Sequence, residues 1–363
     1  MRIDGVARRT IWLNQDGWSV SVIDQRKLPH VFETLTLEGL NDAARAIQDM
    51  AVRGAPLIGV TAAYGLALAL RDDPSDAGLD EAYGRLLATR PTAINLKWAL
   101  DHINEAVRHH VPHTRAEAAY VTAQAMADDD VETSKRIGEY GLSIIKGLSE
   151  AKSGAPVNIL THCNAGWLAT IDWGTATAPI YMAHQQGIAV HVWVDETRPR
   201  NQGTFLTAFE LGQEGIPHTV IVDNAGGHLM QQGQIDMCIV GTDRTAANGD
   251  VANKIGTYLK ALASYDNGIP FYVALPQTTI DWTLAHGRDI PIEERSVREV
   301  THIIGVTATK TIEEVQIVAS GSAAANPAFD VTPARLVTSL ITDEGICAAS
   351  RDGLLSLFPE RTT

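Results

Sequence analysis

The chain has 363 residues, a formal net charge of −14, 45% hydrophobic residues and 20% charged residues. That length supports more than one core, and that balance excludes a disordered or fibrous chain. The acidic excess repels phosphodiester backbones and anionic lipid surfaces, so nucleic acid and membrane are excluded as partners; a small phosphorylated ligand remains open if local cations grip it.

In chain order, residues 1–35 predict a few short strands, because Trp12, Trp18, Val20 and Val22 partly alternate before Leu28-Pro29 breaks the pattern. Helical spacing follows from Thr36 to Met50, with Leu40, Ala44, Ile47 and Met50 near one face and Thr36 as candidate N-cap. Arg53-Gly54-Ala55-Pro56 then leads into an Ala/Leu-rich helix ending at Leu70, too short and too interrupted for a membrane span and expected to be buried. Arg90-Pro91-Thr92-Ala93-Ile94-Asn95-Leu96 opens another helix, with Pro91 suited to the first turn. Residues 114–150 are Ala-rich and amphipathic, with a break expected around Asp128-Asp129-Asp130. Residues 1–150 therefore read as a smaller, mostly helical N-terminal domain that begins with short β strands.

Lys152-Ser153-Gly154-Ala155-Pro156 reads as a seam, after which the pattern changes. Strands are predicted at Val157–Leu160, Ile188–Val194, Thr219–Val222, Met237–Val240 and Phe271–Leu275. Helical stretches lie between them, near 174–186, 204–214, 225–233 and 252–264. Near-continuous apolar strands alternating with helices predict an α/β fold with a parallel sheet covered on both faces, over residues 151–363. The segment from Asn326 to Thr342 reads as an edge strand and a closing helix.

In a parallel sheet, ligands bind beyond the carboxyl ends of the strands. Four of the five loops there carry groups able to hold charge or exchange a proton: Thr161-His162-Cys163-Asn164-Ala165-Gly166, Asp195 to Gln202, Asp223 to His228, and Gly241-Thr242-Asp243-Arg244. Cys163 sits just past a strand before a Gly-containing turn, where a helix N-terminus would lower its thiol pKa; a buried small hydrophobe is the competing reading. Asp243 ends a strand, and its carboxyl could stay protonated and act as an acid if buried; otherwise it caps its loop. Arg53 adjoins Gly54 and Ala55, a guanidinium beside backbone that an anion can approach closely. Lys254 is placed near a helix start, which also suits an anion.

The three cysteines, Cys163, Cys238 and Cys347, are odd in number and form no C-x-x-C pair, which argues against a disulfide framework or structural zinc and fits a reducing cytoplasm. No apolar signal segment follows Met1. His102, His109, His110 and His113 cluster, but Pro112 interrupts their spacing, and no metal is expected. No G-x-G-x-x-G follows a strand, and neither a P-loop nor H-E-x-x-H occurs, so nicotinamide, nucleoside triphosphate and zinc-protease readings lose their main supports and no cofactor is expected.

Arg53 to Gly59, Arg90 to Asn95, Thr161 to Gly166, Asp195-Glu196-Thr197-Arg198-Pro199, Gly241 to Arg244, Asn248 to Thr257 and Asn326 to Pro333, in order across nearly the whole chain, together closely resemble the methylthioribose-1-phosphate isomerases. That family shares a superfamily with ribose-1,5-bisphosphate isomerase and with the regulatory α, β and δ subunits of a eukaryotic translation-initiation exchange factor. The resemblance implies a Rossmann-like catalytic domain without a dinucleotide and a homodimer. It implies Cys163 and Asp243 as a catalytic pair, and Arg53, Gly54, Ala55, Arg90, Gln202, Asn253 and Lys254 as substrate-binding residues. The implied reaction converts 5-methylthioribose 1-phosphate to 5-methylthioribulose 1-phosphate in methionine salvage.

Thr242, Thr245, Asp223 to His228 and Ile171-Asp172-Trp173 depart from the usual family pattern, which leaves a 5-deoxyribose 1-phosphate activity, alone or in addition, as the alternative. A 5-phosphorylated substrate would need extra cations. A non-catalytic sugar-phosphate or nucleotide sensor would need neither Cys163 nor Asp243.

Overall fold

A computed structural model describes residues 1–362. The chain opens with a two-stranded ribbon, β1 (Arg2–Ile3) and β2 (Val6–Ala7), and a three-stranded antiparallel sheet of β3 (Ile11–Leu13), β4 (Val20–Ile23) and β5 (Thr34–Leu37). Five helices follow: α1 (Leu40–Gln48), α2 (Ala55–Asp72), α3 (Asp76–Leu87), α4 (Ile94–Arg108) and α5 (Pro112–Ala151).

The second part alternates strand and helix: β6 (Val157–Thr161), α6 (Ala178–Gln185), β7 (Val190–Asp195), α7 (Ala208–Gln213), β8 (His218–Ile221), α8 (Ala225–Gln231) and β9 (Met237–Val240). A hairpin of β10 (Arg244–Ala246) and β11 (Val251–Lys254) then precedes α9 (Thr257–Asp266), β12 (Phe271–Ala274) and β13 (Ile280–Asp281). A short α10 (Arg298–Thr301), an antiparallel ribbon of β14 (His302–Val306) and β15 (Ile312–Gln316), then β16 (Phe329–Thr332), β17 (Ser339–Thr342), β18 (Gly345–Cys347) and α11 (Arg351–Leu357) complete the fold.

The main sheet has the order β18-β17-β12-β9-β6-β7-β8, and only its β17–β18 edge pair is antiparallel. From β6 the chain steps outward through β7 and β8, then returns to place β9 on the other side of β6. The strand order therefore reverses between β6 and β9, which opens a crevice at their carboxyl ends. This is the α/β, Rossmann-like parallel sheet expected, beside a mostly helical region that begins with short strands.

The sheet strands read as unbroken apolar runs because both faces are covered: Met237, Cys238, Ile239 and Val240 are all buried. Helix α2 is buried almost all round, from Leu57 to Leu70, and packs against α4 and α5 in one apolar cluster. Helix α5 joins two clusters. Ala119, Ala123, Met126 and Val131 pack beside α2, whereas Ile137, Leu142 and Ile145 pack against the sheet.

Some sequence expectations are corrected. Thr36 is not an N-cap but lies in β5, pairing with Ser21; the helix begins at Leu40 after Gly39. Helix α5 runs through Asp128-Asp129-Asp130 without a break, because Asp128 ion-pairs with Arg9 at 2.5 Å and Asp130 accepts a hydrogen bond from the Ile171 amide at 2.8 Å. Pro91 precedes α4 rather than starting it, and Ala93 is the residue before the first turn. The segment 252–264 is not one helix: Val251–Lys254 pairs with β10 and β16, and helix begins only at Thr257. The stretch from Asn326 to Thr342 forms two strands and one 3-10 turn, with β17 inside the main sheet; the closing helix is α11.

Candidate active site

Cys163 follows β6 and Asp243 follows β9, so these adjacent strands bring the two groups to the crevice where strand order reverses. One cavity there is lined by Cys163, Asp243, Arg53, Gly54, Ala55, Arg90, Gln202, Asn253 and Lys254. All nine residues nominated from sequence thus meet in one place. Helix α2 contributes Gly54 and Ala55 at its amino end, where first-turn N–H groups have no intrahelical acceptor. The β10–β11 hairpin folds back after Asp243, whose amide donates to Ala252 O at 2.9 Å, and so carries Asn253 and Lys254 to the same cavity.

Cys163 is held in a left-handed backbone conformation, φ 69°. Its amide donates to Thr197 Oγ1 and its carbonyl accepts from Thr207 Oγ1, each at 2.8 Å. These bonds offset the cost of that conformation, which is on the order of 1–3 kcal/mol for a residue with a side chain. The expected helix N-terminus is absent: a single 3-10 turn at Trp167–Ala169 comes next, and α6 starts only at Ala178. Accordingly the thiol pKa is raised by burial, with Arg53 and Lys254 pulling it back down and Asp243 pushing it further up.

Burial also lifts the Asp243 carboxyl above its ordinary value, against the pull of Lys254, Arg53, Arg90 and Arg295. Each negative group disfavours a second charge on the other, so the pair favours holding one proton between them. Lys254 is buried, donates to Ala328 O at 2.8 Å, and has its pKa lowered by burial to about 8. Arg53 donates through Nη1 to Asn164 Oδ1 at 2.6 Å and through Nη2 to Asn164 O at 2.9 Å. Asn164 is held in turn by Glu210 Oε1 at 2.9 Å, and Glu210 also accepts from the amides of Trp167 and Leu168 and from the Tyr181 hydroxyl. Gly166 is required there, since a Cβ would fall 1.7 Å from Glu210 Oε2.

Gly54 is the tightest point of the cavity wall. Its φ is 91°, and a Cβ would fall 2.2 Å from the Ala169 carbonyl oxygen. Gly54→Ala is therefore expected to lower stability by about 1–3 kcal/mol through strain alone. By displacing the start of α2, it should also lower kcat/KM roughly 10–100-fold. Urea denaturation and steady-state kinetics on the same preparation check both.

Several residues escaped the sequence reading. Asn164 and Glu210 act through Arg53, and Glu210 lies 46 positions from the residue it holds. His162 bridges Asp195 Oδ2 and Ile255 O, at 2.8 Å each, tying β6, β7 and the segment after Lys254 beneath the cavity. Arg295 also lines the cavity, from an irregular segment with no periodicity to mark it. Of the departures from family pattern, only Thr242 lines the cavity; Thr245 is buried and donates to Thr242 Oγ1 at 3.3 Å. Ile171 to Trp173 and Asp223 to His228 are not among the lining residues. Asp172 instead pairs with the amino terminus, and Asp223 accepts from the amides of Thr197 and Arg198.

Residues 51–349 match the family described as the initiation factor 2 subunit family. The methylthioribose-1-phosphate isomerase of Rhodospirillum centenum is 61% identical over 362 residues, covering 99% of this chain and 96% of that protein. The solved structure of 5-methylthioribose 1-phosphate isomerase from Pyrococcus horikoshii OT3 has a TM-score of 0.83 at 40% identity, covering 98% of this chain and 96% of that one. That of translation initiation factor eIF-2B, subunit delta, from A. fulgidus has a TM-score of 0.80 at 36% identity, covering 97% and 100%.

Proposed function

The chain belongs to the initiation factor 2 subunit family, and from that premise we infer that it is an aldose–ketose isomerase converting 5-methylthio-D-ribose 1-phosphate to 5-methylthio-D-ribulose 1-phosphate, a step of methionine salvage. One observation carries the reading within a family that also includes translation factors: a thiol and a carboxyl share one cavity with five cationic side chains, Arg53, Arg90, Arg244, Lys254 and Arg295. A binder of sugar phosphates needs the cations; it needs neither Cys163 nor Asp243.

The phosphate on the anomeric oxygen blocks ordinary ring opening, so an acid has to protonate the ring oxygen as the C1–O bond breaks. Asp243 is that acid, its carboxyl lifted above the ordinary carboxylate range by burial. The C2 proton must then leave and C1 must gain one. Cys163 is the base; burial disfavours its thiolate, and Arg53 and Lys254 offset that in part. Arg53, Arg90 and Lys254, with the free amides at the start of α2, hold the phosphate. Gln202, whose buried Oε1 has no protein partner, and Asn253 present amides to the sugar hydroxyls. Ile58, Ile290 and Phe329 add apolar wall for a methylthio group.

The enzyme works as a homodimer in the cytoplasm, a state that light scattering of the purified chain tests directly. No helix among the described residues is long and apolar enough to cross a membrane.

The deciding assay compares 5-methylthio-, 5-deoxy- and 5-phospho-ribose 1-phosphates. The largest kcat/KM is expected with the methylthio compound; no turnover of any of the three would sink the isomerase reading. With deuterium at C2, proton transfer predicts loss of label to water, whereas quantitative transfer to C1 would establish a hydride shift.

A further inference from the structure

Arg90 and Arg295 enter the cavity from segments about two hundred residues apart, and one carboxylate joins them. Glu293 Oε2 accepts from Arg90 Nη2 at 3.2 Å, and Glu293 Oε1 accepts from Arg295 Nε at 3.3 Å. Both arginine side chains are largely buried, at 13% and 7% exposure. The Arg295 backbone is fixed as well, its amide donating to Asn326 O at 3.0 Å.

Their remaining donors are poorly used. Arg90 Nε is buried without a partner. Arg295 Nη2 points at Met50 Sδ, 3.1 Å away, and a thioether is a weak acceptor. Burying a guanidinium is costly unless its donors are met. Two such groups beside one cavity, each with spare donors, are arranged for an acceptor-rich dianion.

The charge balance agrees. The cavity is lined by Arg53, Arg90, Arg244, Lys254 and Arg295 against Asp243 alone among carboxylates. Glu293 pairs with Arg90 and Arg295, and Asp281 pairs with Arg244 at 3.3 Å, which leaves a cationic surplus.

We propose that Arg295 is a further substrate-binding residue, the second guanidinium of a phosphate clamp in which Glu293 joins Arg90 and Arg295. This rests on the sugar-phosphate reading above and extends it to a residue outside the sequence-recognised set. Met50 Sδ holds the donor in place until a phosphate oxygen displaces it. Because the clamp grips the phosphate and not C5, its contribution is the same for every 5-substituent.

The test uses the full-length enzyme and two ligands. Thermal protection by inorganic phosphate reads the clamp without catalysis; steady-state kinetics with the 5-methylthio and 5-deoxy substrates reads it in turnover. Arg295→Met is expected to raise KM at least tenfold with a smaller change in kcat, by the same factor for both substrates, and to weaken phosphate protection in parallel. Arg295→Lys, which keeps charge but loses the two-pronged geometry, should fall between. Arg298→Ala removes an exposed cation paired with Glu314 and should change neither readout. Unaltered phosphate protection in a folded Arg295→Met protein overturns the clamp, as does a KM effect confined to one 5-substituent. Should Arg295→Met fail to fold, wild-type phosphate protection and KM in Arg295→Lys overturn it equally. Failure of the isomerase reading is separate: the wild type would then turn over no substrate while phosphate protection still reported on the clamp.

Discussion

Asp243→Asn is expected to lower kcat by about 10²–10⁴-fold, the range for losing a general acid–base group, with the fold retained. The side-chain amide is nearly isosteric, and the hydrogen bond that the residue-243 backbone N–H donates to Ala252 O, which fixes the hairpin, survives. A second consequence distinguishes this account from simple loss of a binding group. Asp243 raises the Cys163 pKa, so its neutralisation should move the thiol titration to lower pH, as read by thiolate ultraviolet absorbance. Wild-type kcat/KM should follow a bell. Activity rises as the pair loses its first proton and falls as it loses the second, because the working state holds one proton between the two groups. Asp243→Asn should remove the pair's share of the alkaline fall, since the amide cannot lose a proton, and leave the fall from discharging Lys254, whose pKa burial lowers to about 8. An Asn variant with near-normal kcat would eliminate Asp243 as the acid.

The second large effect is on Cys163. Cys163→Ser retains size and the left-handed backbone, yet a hydroxyl is far harder to ionise than a thiol. A loss of about 10²–10⁴-fold in kcat is expected, with KM changed much less. The informative readout is isotopic: with C2-deuterated substrate, the primary isotope effect should grow, because proton removal becomes more strongly limiting. An unchanged rate and isotope effect would leave Cys163 a structural thiol. Thermal denaturation should be close to wild type, since the bonds to Thr197 and Thr207 are made by backbone atoms.

What was legible in the sequence followed from periodicity and from segments adjoining strand ends. Met237–Val240 appears as a buried strand with the expected bounds, and Cys163 and Asp243 could be placed at strand ends because apolar runs stop just before them. The helical stretch from 252 failed for a physical reason: Val251–Lys254 is claimed by β10 and β16, a tertiary pairing that local spacing does not reveal. The thiol environment failed likewise, because the turn after Cys163 leads to a 3-10 segment and no helix dipole points at the sulfur. Arg295 and Glu210 could not have been found by pattern. One lies in an irregular segment and the other on a six-residue helix, and both matter through contacts with residues remote in sequence.

Helix α5, 40 residues and therefore about 60 Å long, sets a gauge for the cavity. The walls bearing Arg53 and Arg90 belong to elements packed on its first half, and the strands leading to Cys163 and Asp243 pack on its second. One continuous helix indexes the two halves against each other, in rotation as well as in distance. A single residue gained at its middle would advance one half by about 1.5 Å and turn it by about 100°. The phase of that helix, which touches no catalytic group, thus acts as a dimensional tolerance on the gap between the cations and the acid–base pair.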